Sequence, residues 1–487
     1  MIRQSFLYFL ARAGNGILAL ATMATFTRIL SPQEYGIYSL GMAIPTMGCA
    51  VLFQWLNVAV GRFYPLHEDK PEMIMTAVAR GFWCATAIAA LLFLAALPFH
   101  ETFGVKASLY GILFLITVML GRHTLALQMA NTQRMPLRFG LLSWTRGVGA
   151  FLIGFGLIQY GAGARGALLG FLAGLVIAVL IFSPKPHLGL GFRSAGAHKS
   201  SDMFRFGLPM SVNFFAIVIV DVADRFMIGG LLGADHVAPY AVAYELVQQS
   251  IGPVMNVLFL ATFPIIVQVL EVEGDESARI RLRTLGCGLI GIGLPAVFGV
   301  AVLSGEISEV VFGSSFRQDA GRIMPWLAAA IFLGCFKNYF VDVVFQLRNV
   351  SKYQGYIAAF MATVNVVLNL LLLPRYGVIA AAWSTFAAFA VGLLLSWCVA
   401  KTLFPLPSVG KNFLGAAAAS ALMAIVLYML PLMNGVIWLL AKIVLGIFIY
   451  SALALILNVA NCRNYLYDVI FRRIFTSKNV KIKDTTR

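Results

Sequence analysis

Four arginines stand inside apolar runs in the first half of the chain: Arg12, Arg80, Arg122 and Arg146. A charged side chain within a membrane costs roughly 2.5–3.5 kcal/mol on insertion scales, so each one needs a reason. Each lies two to three helical turns from the same end of its span, which at a rise of 1.5 Å per residue puts all four roughly 10–13 Å deep. Lys337, in the second half, has a similar depth, and Asn15 lies one turn beyond Arg12. The acidic residues of the first half, Glu34, Glu68, Asp69, Glu72 and Glu101, all fall between the runs. With no carboxylate at their level, these arginines are tolerable only beside water or an anionic ligand. A guanidinium offers a planar fork of donors that suits phosphate. The expected chemistry is therefore a cationic cavity of Arg12, Arg80, Arg122, Arg146, Lys337 and Asn15 that accepts an anion, above all a phosphate. The competing expectation is that each long side chain bends back to the lipid headgroups.

The second half carries a different set. Asp221, Asp224 and Arg225 fall in the far half of one apolar run, and Glu245 lies near the same level in the next. Asp221 and Asp224 are three apart and share a helix face. This group reads as a coupling or gating set, for a proton or sodium ion or as a latch; the plainer reading is a structural pair of Asp224 with Arg225. Lys442, near a helix end, is expected to snorkel.

These side chains must be held by membrane helices. The chain has 487 residues, of which 60% are hydrophobic and only 11% charged, against about 25% charged in soluble domains. Apolar runs long enough to span a bilayer recur along its whole length, without the short alternating segments of a membrane barrel. The fold class is all-α and polytopic, with fourteen spans over about 6–28, 37–60, 73–97, 107–130, 139–159, 166–183, 205–231, 237–265, 282–304, 323–346, 352–373, 377–400, 412–431 and 435–458. The first run has no small-residue cleavage site and reads as a retained helix. Most of the 36 Lys and Arg residues fall in loops on the side of the termini, which places both termini in the cytoplasm. That asymmetry explains the net charge of +16 without a nucleic-acid partner.

Two pairs of segments echo one another. "TRILSPQEYGIYSL" (27–40) resembles "GGLLGADHVAPYAV" (229–242), and "LIQYGAGARGALLG" (157–170) resembles "LLPRYGVIAAAWST" (372–385). The echoes predict two six-helix lobes, 1–183 and 205–400, related by a pseudo-two-fold along the membrane normal. A cytoplasmic connector over 184–204, rich in Pro, Gly and Ser, joins them. Two added helices fill 401–460, and a basic tail follows over 461–487.

The six cysteines are scattered and read as small hydrophobes, with no zinc site or disulfide framework. No nucleophile elbow, phosphate-cradling loop or metal cluster is present, so the expectation is no catalysis and no cofactor. The longest connection on the side opposite the termini, about 304–322, is short and lacks His, unlike what a membrane polymerase or ligase is expected to carry.

"TRILSPQEYGIYSL", "DRFMIGGLLGADHVAPYAVAYEL" (224–246), "FQLRNVSKYQGYIAAF" and "LNLLLLPRYGVIAAAWST" resemble the polysaccharide transporter (Wzx-type) flippases, within the superfamily of multidrug, oligosaccharidyl-lipid and polysaccharide exporters. The likeness covers the first twelve spans. It implies a two-lobed helical fold and movement of an undecaprenyl-pyrophosphate-linked oligosaccharide across the bacterial inner membrane by alternating access, for surface polysaccharide biosynthesis. Implied partners are that lipid, the bilayer, and the polymerase and export machinery. The rival within the superfamily is a cation-coupled multidrug antiporter, which would want a carboxylate inside the first lobe.

Overall fold

The computed structural model describes residues 2–65, 71–99, 107–183, 218, 222–350, 352–431 and 435–463, with side chains in the first helix from Gly14 onward. The side chain of Arg12, the whole of Asp221, the connector over 184–204 and the tail beyond Arg463 lie outside the described residues. The described residues are helical, without a strand.

The helices in chain order are α1 (Ile2–Ile29), α2 (Pro32–Leu52), α3 (Gln54–Phe63), α4 (Pro71–Ala96), α5 (Tyr110–Thr132), α6 (Pro136–Leu157), α7 (Gly163–Phe182), α8 (222–231), α9 (Ala234–Glu273), α10 (Asp275–Val311), α11 (Arg317–Phe336), α12 (Val343–Leu347), α13 (Lys352–Tyr376), α14 (Ile379–Leu403), α15 (Gly410–Met429) and α16 (Val436–Ile456). Eleven segments among the described residues are long and apolar enough to cross a membrane. One of them, 136–182, holds two of the expected spans in α6 and α7. The expected first and seventh spans correspond to α1 and to the part of the seventh that α8 covers.

The chain divides into two compact units. The first is Met1–Leu246 with Val311–Ala320 and Gln354–Ala388; the second is Val247–Val310, Gly321–Tyr353 and Phe389–Arg487. In the first unit the turns α1–α2, α6–α7 and α8–α9 and residues 313–316 lie together, through contacts of Gly163 with Glu34, of Gly36 with Ala234 and of Gly313 with Thr27. This end of the helices is called the corner side below.

Local chemistry sets these turns. Pro32 occupies the first turn of α2, where its missing N–H is not needed, and the Ser31 side chain accepts from the Glu34 backbone N–H at 3.2 Å. In the other pair of echoing segments, Tyr160-Gly161 closes α6 and Tyr376-Gly377 closes α13. Gly161 has φ +83° and Gly377 φ +68°, left-handed values that glycine adopts without strain. In the second unit, Lys442 does not snorkel. It is buried and donates to Glu306 Oε1 at 2.5 Å, fastening α16 to α10. Tyr450 adds a second tie, its hydroxyl donating to the Gly291 carbonyl at 2.6 Å.

Candidate functional site

Within the first unit, α1, α2, α6, α7 and α9 enclose a cavity of about 140 Å³. Arg146 of α6 is its cation. Its Nη2 donates to Asn15 Oδ1 of α1 at 3.2 Å, and its guanidinium lies 5.9 Å from the Phe171 ring centre. The buried Nε has no hydrogen-bond partner among the described residues. Tyr35 and Tyr38 of α2 line the same space, and Glu245 of α9 supplies its carboxylate.

Glu245 belongs to a second layer of charge. Its Oε1 lies 3.2 Å from Arg225 Nη2, and Arg225 Nη1 donates to Ser39 Oγ at 3.2 Å. Arg225 is buried, whereas the Glu245 side chain is nearly half exposed. Glu245 is therefore paired with Arg225 and lines the same cavity as Arg146.

Of the six residues expected around a cationic cavity, the structure brings together Arg146 and Asn15. Arg122 on α5 is half-buried, and its Nη1 has no partner among the described residues, but it does not line this space. Arg80 on α4 is half-buried and also outside the lining. Lys337 lies in the second unit and is already matched: its Nζ donates to Asp342 Oδ2 at 2.6 Å across the wide turn Lys337–Val341.

Asp224 does not pair with its neighbour Arg225. Adjacent residues on a helix point in different directions, and Asp224 turns into a buried cluster of neutral groups. It accepts from the hydroxyl of Tyr240 on α9, from Thr385 Oγ1 on α14 at 2.6 Å, and from Asn369 Nδ2 on α13 at 2.6 Å. Asn369 Nδ2 also donates to Asn365 Oδ1 at 3.2 Å. Asn365 Nδ2 and Asn369 Oδ1 have no partner among the described residues. Asp224 and all four of these neighbours are buried. A buried carboxylate held only by neutral donors is the arrangement expected where a proton or small cation comes and goes. The roles of Asn365, Asn369 and Thr385 escape a reading of the sequence; the available signal was two asparagines four apart inside an apolar helix, which share one face.

The corner side of this unit is tightly joined. A Cβ on Gly36 would lie 1.6 Å from the Ala234 carbonyl oxygen. The Gly313 N–H donates to Thr27 Oγ1 at 3.2 Å, and Tyr35 meets Phe316 edge-on at 5.6 Å. The two echoing corners, 27–40 and 229–242, therefore touch each other.

Charged side chains buried among many membrane-crossing helices define a polytopic membrane protein with the fold of a transporter. The chain is similar in fold to the lipid II flippase MurJ in an inward closed conformation, with TM-score 0.73 and 17% identity over 94% of this chain and 99% of that one. An inward-facing multidrug resistance transporter of the MATE family gives 0.63 and 16%, over 81% and 98%. The family profile described as "Polysaccharide biosynthesis protein" matches residues 25–320, and the chain belongs to that family. It is 22% identical to a Shigella flexneri protein named as an O-antigen transporter, over 78% of this chain and 93% of that one. A Haloferax volcanii protein named as a low-salt glycan biosynthesis flippase is 24% identical over 62% of this chain and 64% of its own.

Proposed function

We propose that this protein is a flippase. It carries a lipid-linked oligosaccharide, on undecaprenyl pyrophosphate, from the inner to the outer leaflet of the bacterial cytoplasmic membrane for surface polysaccharide biosynthesis. The observation that carries this reading is Arg146: a half-buried guanidinium whose Nε is buried and unsatisfied among the described residues, in a cavity whose carboxylate is already engaged by Arg225. The names borne by the relatives support the substrate class.

In this reading the termini are cytoplasmic and the corner side faces outward. Residues 1–183 and 205–400 act as two lobes that rock about the cavity. Arg146 and Asn15 take the pyrophosphate, with Arg12, Arg80 and Arg122 on the route to them. The joined corners correspond to a state closed outward, in which the headgroup loads from the cytoplasm. Asp224 couples the rocking to a proton or monovalent cation. Protonation or ion capture there would alter how α8, α9, α13 and α14 are held together. No bond in the substrate is made or broken.

The test is mass spectrometry of lipid extracts from cells lacking the protein, from wild type, and from Arg146→Ala and Arg122→Ala variants. The expected result is a polyprenyl-pyrophosphate oligosaccharide that accumulates in the deletion and in the Arg146→Ala strain. An unchanged lipid profile in the deletion overturns the flippase reading and favours small-molecule efflux, for which Asp224 would serve as the coupling carboxylate of a cation-coupled antiporter.

A further inference from the structure

On the other side of α2 from the cationic cavity lies a second space, apolar and about 480 Å³ in volume. That is within the range of roughly 300–1,000 Å³ seen for ligand sites. Its walls come from the corner-side ends of α4, α5 and α8 and from the middle and far end of α2, residues 40–52, all in the first unit, and Tyr110 contributes its one polar side chain. Small residues line it: Ala89, Ala96 and Gly230 leave room, and Gly48 and Gly229 let helices pack closely, since a Cβ there would meet Thr117 or Leu40 at 3.0 Å. Leu92 and Gly230 are exposed at its edge, so the space is open to the surrounding bilayer.

The two spaces share a wall. Tyr35 and Tyr38 face the cationic cavity, while Leu40 and Ile44 face the apolar groove. Tyr38 and Leu40 are two residues apart, a little over half a turn, and so lie on opposite faces of α2. On α8, Phe226 and Met227 line the groove, while Arg225, one residue earlier, bonds Ser39 and Glu245. The Ser39–Arg225 hydrogen bond is the boundary between them. A cationic pocket and a membrane-open apolar groove divided by one hydrogen-bonded wall match a molecule with an anionic head and a long apolar tail.

We infer that this groove holds the isoprenoid tail of the anionic lipid whose headgroup enters the cationic cavity, and does so on the corner-side half of the membrane. The inference rests on the flippase reading for the identity of the lipid. Met47 and Met227, unbranched and adaptable, stand on facing helices where a methyl-branched chain would slide. A groove at this level receives the tail after the headgroup has crossed, and so favours release into the far leaflet over return.

The test is photocrosslinking in nanodiscs of phosphatidylethanolamine and phosphatidylglycerol that contain a small fraction of undecaprenyl phosphate. A photoreactive benzoylphenylalanine replaces Leu92 at the groove, or Leu152, an exposed residue of α6, as control. The expected result is undecaprenyl adducts at Leu92 at least tenfold above their mole fraction, with bulk composition at Leu152. Gly230→Phe should abolish the enrichment; a Cβ there meets nothing within 4 Å, so the helix accommodates it. Adducts at Leu92 that mirror the bulk phospholipids would overturn the inference, as would enrichment equal at both positions. Lipid accumulation in deletion cells is scored separately, so failure of the groove and failure of the flippase reading give different patterns.

Discussion

Gly36, in the second turn of α2, rests against the backbone carbonyl of Ala234, the first residue of α9. The contact is backbone to backbone, so neither side can yield by turning a side chain. Gly36→Ala should therefore pry the two corners apart. Overpacking of this kind costs about 1–3 kcal/mol, which corresponds to roughly a 5- to 150-fold shift between states. The shift should favour the outward-open state. Phe316→Cys, placed at the same seal, reports it through labelling by a membrane-impermeant maleimide in a background without native cysteines. Labelling should rise in the Gly36→Ala protein; equal labelling would mean that the seal does not depend on this contact.

Arg146 should not be replaceable by lysine. Its fork donates to Asn15 and leaves Nε free for a ligand, and an ammonium cannot do both with fixed geometry. Arg146→Ala is expected to reduce flipping of a fluorescent polyprenyl-pyrophosphate substrate by at least about tenfold, and Arg146→Lys by nearly as much. Asn15→Ala should lose less, a few-fold, because it removes one hydrogen-bond partner of Arg146 and leaves the guanidinium in place. Full activity of the lysine variant would reduce Arg146 to a point charge.

Glu245 acts as a resident anion. It bridges Arg225 and borders the cavity that holds Arg146. Glu245→Gln should release Arg225 and tighten binding of undecaprenyl pyrophosphate in detergent. The pair is partly exposed and screened, so the gain is modest, at most roughly fivefold. The gain should shrink as salt is raised. Weaker binding in the Gln variant would mean that Glu245 organises the site instead of competing for it.

Asp224→Asn keeps the size of the side chain and removes its charge. The cluster around it contains only neutral groups, so the variant should fold, with a melting temperature within a few degrees of wild type. Its transport in liposomes should no longer respond to an imposed proton or sodium gradient. A response equal to that of wild type would move coupling elsewhere.

Much of the scaffold was legible because membrane spans announce themselves as apolar runs and their corners as Gly, Pro and capping residues. Ser31-Pro32 and Tyr376-Gly377 lie where turn chemistry puts them. The candidate site was less legible. Depth can be counted along a helix, but the face a residue presents depends on packing against helices far away in sequence. Asp224 finds Asn369 across 145 residues and Thr385 across 161, while its neighbour Arg225 points elsewhere. Lys337 has the depth expected of a cavity cation, yet a local turn gives it Asp342.

The same long-range pairing makes Lys442 a test of how the last two helices are attached. Lys442 on α16 and Glu306 on α10 are buried together, 136 residues apart in sequence. Removing one partner of such a pair leaves an uncompensated charge, a loss of about 3–5 kcal/mol. Lys442→Met should therefore lower the melting temperature in detergent sharply, while the Lys442→Met, Glu306→Gln double variant should recover most of it. Flipping should follow stability in this series, because neither residue lines the cationic cavity. A double variant as unstable as the single one would mean that Lys442 holds α16 through its packing against Trp438, whose ring centre lies 6.0 Å away, and not through its charge.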